Sequence, residues 1–91
     1  MDNLTNIKIL LEIDSDIYDD KLNIIIPSAV EKMSLEGVAE IKPDEEYYNM
    51  YLTCLSYQTA VDLALDVDYN TMYRKYMTFV NTLRSRIIWI N

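Results

Sequence analysis

Val61-Asp62-Leu63-Ala64-Leu65-Asp66-Val67-Asp68-Tyr69-Asn70-Thr71-Met72-Tyr73 is the stretch on which the fold turns. Upstream of it, Tyr47, Tyr51, Cys54, Gln58, Val61 and Leu65 recur at alternating spacings of four and three, the repeat of one helix face. Downstream, Tyr69, Tyr73, Tyr76, Val80, Leu83, Ile87 and Ile90 keep the same rhythm. A single rod carrying both stripes would place Asp68 and Lys75 in its apolar seam. The stripe instead slips by one residue across Asp66-Val67-Asp68, and Asp68 has the short carboxylate that suits a helix N-cap. The pattern predicts two long helices folded back as a hairpin.

Leu52, Leu55, Thr59 and Leu63 line a second face of the earlier helix, making it apolar nearly all round and giving it the central place. Pro43-Asp44-Glu45-Glu46 predicts its start, a proline near the first helical position followed by acids that complement the helix dipole. Gly37, the one glycine, fits a left-handed C-cap to a helix over Ile17 to Glu36. The apolar stripe of that helix is Leu22, Ile25, Ile26, Ala29, Val30 and Met33, with Pro27 inside it predicting a kink or a break. A short first helix spans Leu4 to Leu11 and is ended by Asp14-Ser15-Asp16, whose side chains compete with helical backbone bonds. The expected fold is all-α: a small bundle of about four helices, the last two a long hairpin, in one domain over residues 1–91.

Composition bounds what such a domain does. Ninety-one residues, half of them apolar, are enough for one modest core. No His is present, which removes the usual general base and the commonest metal ligand. The single Cys54 excludes an intramolecular disulfide and a Cys-cluster zinc site, and in an apolar seam it reads as a small hydrophobe. Asp14, Asp16, Asp19 and Asp20 suggest a calcium loop, but Asp19 and Ile25 stand where an EF-hand needs Gly and Glu. Glu45, Glu46 and Asp62 have no nucleophile or oxyanion donors beside them. No catalytic, cofactor-binding or metal site is expected. No apolar run reaches membrane-spanning length, and Met1-Asp2-Asn3 lacks the features of a signal peptide, so a cytoplasmic site of synthesis is expected.

The net charge of −7 conceals an asymmetry. All fifteen carboxylates lie at or before Asp68, with only Lys8, Lys21, Lys32 and Lys42 among them, whereas Arg74, Lys75, Arg84 and Arg86 follow with no acid. Either the basic last helix lies against acidic neighbours of its own chain, or copies attract one another head to tail. Arg74 and Lys75 against Asp19 and Asp20 are candidates for a contact between copies. Among eight tyrosines, Tyr47, Tyr51, Tyr69, Tyr73 and Tyr76 fall on the helix seams, while Tyr48 and Tyr57 lie off them and are candidates for the same contact. Helical periodicity puts Trp89 on a face with Lys75, Thr78, Thr82 and Arg86, away from the apolar stripe. Either the end of the chain folds back over the domain, or Trp89 is an aromatic anchor for a partner.

The run Leu4-Thr5-Asn6-Ile7-Lys8-Ile9-Leu10-Leu11-Glu12-Ile13, the acidic turn, then Asp20-Lys21-Leu22 and Ile25-Ile26 to Ala29 resembles the opening of phage head–tail connector proteins. Tyr57-Gln58-Thr59-Ala60 and Asn81-Thr82-Leu83-Arg84 on the two long helices extend the resemblance over nearly the whole chain. It implies a structural protein of tailed-phage and prophage virions, a homo-oligomeric, dodecameric ring docked under the portal at the capsid vertex. Such a ring extends the DNA channel, passes DNA without reading its sequence, and joins the filled head to a stopper or tail-completion protein. The C-terminal segment contacts the portal in that family, which carries the role here to Arg84, Arg86, Ile87, Ile88, Trp89 and Ile90, within residues 84–91. The chain ends at Asn91, without the long C-terminal arm of some relatives. The competing expectation is an acidic inhibitor or DNA mimic, with Asp14, Asp16, Asp19, Asp20, Glu45 and Glu46 as phosphate surrogates on a host nucleic-acid enzyme.

Overall fold

A computed structural model of the protein describes the backbone of residues 2–90 and the side chains of residues 2–85. Four helices follow one another: α1 (Asn3–Leu10), α2 (Asp19–Leu35), α3 (Tyr48–Leu63) and α4 (Tyr69–Ile90), with no strand among the described residues. The chain is an all-α bundle, as its periodicities predict. α3 packs against each of the other three helices, and α1 also packs on α2. Ile7, Leu22, Ala29, Met33, Val38, Tyr51, Cys54 and Leu55 are wholly shielded from solvent, with Val80 and Leu83 closing the core from α4.

The central helix is buried on most of its circumference, and the buried hydroxyls of Ser56 and Thr59 find partners there while that of the buried Tyr51 does not. Ser56 and Thr59 donate their hydroxyls back to the carbonyls of Leu52 and Leu55 at 2.9 and 2.7 Å. Such back-bonding lets a hydroxyl sit in a core without loss of its hydrogen bond. Lys32 on α2 donates to both carboxylate oxygens of Asp62 at 3.0 Å, fastening α2 to α3.

The hairpin has a well-defined corner. Ala64 adopts φ +55°, and the Leu65 and Ala64 amides bond to the carbonyls of Ala60 and Val61, closing α3 with a left-handed turn. The Tyr69 hydroxyl reaches back to the carbonyls of Ala60 and Leu65. Asp68 opens α4 as expected, accepting from the Thr71 amide at 3.2 Å and the Thr71 hydroxyl at 2.8 Å. Farther along, Gln58 donates to the Tyr76 hydroxyl and Cys54 lies 3.9 Å from the Tyr76 carbonyl, so α4 runs antiparallel to α3.

The bonds from Thr71 hold the Asp68 carboxyl below its ordinary value. A carboxyl depressed in the folded state stabilises it above the unfolded pKa, near 3.9, and that contribution is lost as pH falls through the folded value. Asp68→Asn keeps an acceptor for Thr71 without the titration. Its denaturant midpoint is expected to fall less steeply than that of the native protein as pH drops below 4. Parallel acid limbs would show that this cap contributes nothing to the pH dependence.

Several expectations are corrected. Pro27 does not break α2, which continues through it: Pro27 and Asn23 both lie on the exposed face, where water can reach the carbonyl left without its helical donor. The helix-start signal at Pro43 yields only a turn, with Glu45 N–H bonded to the Lys42 carbonyl and the Glu45 carboxylate accepting from Lys42 N–H. Tyr47 then takes φ +68°, so the helix proper begins at Tyr48. α2 begins at Asp19 rather than Ile17, because Ile17 and Tyr18 are spent in a turn. Val61 and Tyr73, predicted in seams, are 43% and 49% exposed. Gly37 meets its expectation: φ is +89°, and the Val38 amide bonds to the Met33 carbonyl at 2.9 Å.

Candidate interaction surface

The loop between α1 and α2 is short, acidic and held in place. Asp19 N–H bonds to the Asp16 carbonyl at 3.0 Å, making Asp16-Ile17-Tyr18-Asp19 a β-turn. Lys8 from α1 clamps both ends of it, with Nζ at 3.2 Å from Asp16 Oδ1 and 2.8 Å from Asp19 Oδ1. These two bonds, Asp19 first, raise the Lys8 pKa above its ordinary value. The clamp therefore persists through neutral pH, and on the alkaline side it is lost as pH climbs through that raised value. Ser15 Oγ accepts from the Ile17 amide at 3.0 Å. The turn's two central residues are apolar, Ile17 at 77% exposed and Tyr18 at 38%, between the exposed carboxylates of Asp14, Asp16 and Asp20.

The basic helix presents a different surface. Arg74, Lys75 and Arg84 are exposed, and among the described residues the ion pairs join Lys8 to Asp16 and Asp19 and Lys32 to Asp62, none involving α4. No α4 cation forms a salt bridge among the described residues, but, after the bonds from Thr71, Arg74 also acts electrostatically on Asp68 of its own chain and helps to lower that carboxyl's pKa. Beside Lys75, a groove of about 190 Å³ is lined by Leu10, Leu11, Thr53, Ser56 and Met72, in the gap over α3 between the end of α1 and α4. A larger, shallow hollow of about 680 Å³ runs along α1 past Lys8, Ile9 and Glu12 to Asp14. Lys8 there is already bonded to two carboxylates.

The tyrosines divide differently from the sequence expectation. Tyr48, an interface candidate from the sequence, is turned into the core: it is 7% exposed, and its hydroxyl donates to Asn3 at 2.6 Å and accepts from Asn6 at 3.1 Å, pinning α1 to α3. The shift of the helix start to Tyr48 turned that ring inward. Tyr57 is half-buried, its ring 4.8 Å from Tyr76 and 5.8 Å from Tyr73, so it belongs to an aromatic cluster that joins α3 to α4. Burial raises the Tyr57 and Tyr76 pKa values above the ordinary tyrosine value. Cys54 is buried, and desolvation pushes its thiol up to about 12, so it remains protonated and inert at neutral pH.

No family model, curated protein or solved structure matches this chain. Its surfaces are therefore read on their own chemistry. Among the described residues no cluster of three metal-ligating side chains forms, and no helix is long and apolar enough to cross a membrane. Of the candidates for contact between copies, Arg74, Lys75 and Asp20 are exposed, whereas Asp19 is occupied by Lys8. Of the candidate portal residues, Arg84 is exposed and its side chain lies over Gly37, a Cβ at which would stand 3.5 Å from Arg84 Nε. The side chains of Arg86, Ile87, Ile88, Trp89 and Ile90 lie outside the described residues, while the α4 backbone is helical through Ile90.

Sequence reasoning missed the exposed Ile17–Tyr18 tip, because both residues were absorbed into the start of α2. The available signal was the chain of short polar residues Asp14-Ser15-Asp16 followed by Asp19-Asp20, which leaves two residues between two acidic brackets.

Proposed function

We propose that this chain is a head–tail connector, a structural virion protein whose copies form a ring beneath the portal at the capsid vertex. The ring would extend the DNA channel and join the filled head to a stopper or tail protein. The observation that carries this reading is the segregation of charge along the chain, with every acid at or before Asp68 and an acid-free basic helix after it. An acidic front, with Asp14 and Asp20 exposed, stands against a helix whose exposed cations Arg74, Lys75 and Arg84 form no salt bridge among the described residues. A ring of identical subunits uses heterologous contacts, in which one patch of each copy meets a different patch of the next. A chain with both charge signs segregated supplies such a pair. A mostly acidic surface also suits a channel through which DNA passes without adhering.

The residue-level resemblance of the opening segment and of the two long helices supports the same reading, as does an all-α bundle built around a helical hairpin. Three of the six carboxylates of the competing DNA-mimic reading already have partners in the chain, Asp16 and Asp19 on Lys8 and Glu45 on the Lys42 amide, though Asp16 and Glu45 stay exposed. Mixing the purified protein with portal-bearing, DNA-filled heads from the same source and imaging the vertex by electron microscopy tests the proposal. A new ring of density below the portal is expected. Bare portals, with heads still filled and the protein folded, would refute it.

A further inference from the structure

The tip Ile17–Tyr18 is an unusual object. Central positions of a β-turn normally hold Gly, Pro, Asn, Asp or Ser, for conformational and solvation reasons. Here they hold two large apolar side chains, and the turn is braced from three directions, by its own Asp19-to-Asp16 hydrogen bond, by the Ser15 hydroxyl and by the double clamp of Lys8. The conformation that exposes Ile17 is thus pre-organised, so the ordering entropy of a contact is largely spent before any partner arrives. The carboxylates of Asp14, Asp16 and Asp20 surround this tip.

The groove by Met72 has the opposite design. Its wall is apolar through Leu10, Leu11 and Met72, with the small Thr53 and Ser56 leaving room between them, and its one charged residue is Lys75. Leu10 is half-exposed. Neither α1 nor α4 contains a carboxylate along its length, so the two helices that contribute Leu10 and Met72 do not repel the tip. We propose that the Ile17–Tyr18 tip of one copy seats in the Leu10–Met72 groove of a second copy, with the carboxylates around the tip facing Lys75. The contact rests on the reading of the chain as a subunit that meets its own copies, and it names the two surfaces that do so. Because tip and groove are different patches, each copy bound through its tip still offers its groove, and the contact propagates until it closes on itself.

Cross-linking between singly substituted copies tests this directly. Ile17→Cys places a thiol on the tip and Thr53→Cys places one in the groove, while the native Cys54 is buried and does not compete. Leu35→Cys, at the 88% exposed end of α2, reports random collision. With a short bismaleimide, the Ile17→Cys and Thr53→Cys mixture is expected to form the mixed dimer about ten-fold faster than the Ile17→Cys and Leu35→Cys mixture, because docking raises the local thiol concentration. Adding Lys75→Glu to the groove copy, or raising the salt, is expected to erase most of that advantage. Equal rates for the two mixtures would overturn the contact. If they are equal while a ring still appears on portal-bearing heads, this pair of surfaces is wrong and the connector reading stands. If the tip and groove cross-link but no density appears at the portal, the contact stands and the connector reading falls.

Discussion

Leu55→Ala is expected to remove about 2–5 kcal/mol of stability, the range for truncating a fully buried leucine. A domain of this size has on the order of 5–14 kcal/mol in total, so the substitution takes a large share of it. The position explains why the upper part of the range applies. Leu55 is wholly shielded and lies near the middle of α3, the one helix that touches all three others. A cavity there is walled by the packing of α3 against its neighbours, and no single helix can move inward to fill it without leaving another contact. The measurement is a urea titration followed by circular dichroism: the midpoint should fall while the slope stays constant, since the surface exposed on unfolding is unchanged. Val61→Ala, on the same helix but 43% exposed, is the companion variant and should shift stability by only about 0.5 kcal/mol. Similar losses from both would mean that α3 is not the hub of the core.

That comparison also marks where the sequence was legible. Leu55 and Val61 both lie on apolar faces of the α3 pattern, and periodicity alone does not say which of two faces is deeper. The outcome depended on where neighbouring helices sit, and hence on the Ala64 and Tyr47 backbones. Gly37 announced its left-handed turn because glycine is the residue that adopts it without steric cost. Glu12 and Ala64 adopt φ +57° and +55° with no such signal, and both turns are completed by backbone hydrogen bonds. Asp68 was legible as a cap because its side chain acts on residues three positions away. Pro43 was misleading for the converse reason: its local preference was satisfied by one turn, and Tyr48 was then recruited inward by Asn3 and Asn6, more than forty residues away in sequence. The charge asymmetry was visible by counting. That its described cations form no salt bridge was not, because pairing depends on which helix faces lie within a few ångströms of each other.

The second large effect concerns the end of α4. Trp89→Ala combined with Arg86→Glu is expected to abolish docking to the portal while leaving the domain folded. The fold should tolerate both changes, because among the described residues α4 supplies Tyr76, Val80 and Leu83 to the core, all upstream of either position. Truncating a tryptophan anchor at an interface typically costs 2 kcal/mol or more, about thirty-fold in affinity. Reversing Arg86 replaces attraction by repulsion toward any acidic seat, so the pair together should bring binding below detection on portal-bearing heads. Circular dichroism and the urea midpoint of the double variant should match those of the native protein within about 0.5 kcal/mol. Arg84 is left unchanged by design, since its side chain lies over Gly37 and its loss would mix a packing effect with a binding one. Undiminished docking by a folded double variant would remove the end of α4 from the mechanism, and the acidic front of the chain would become the surface to test against the portal.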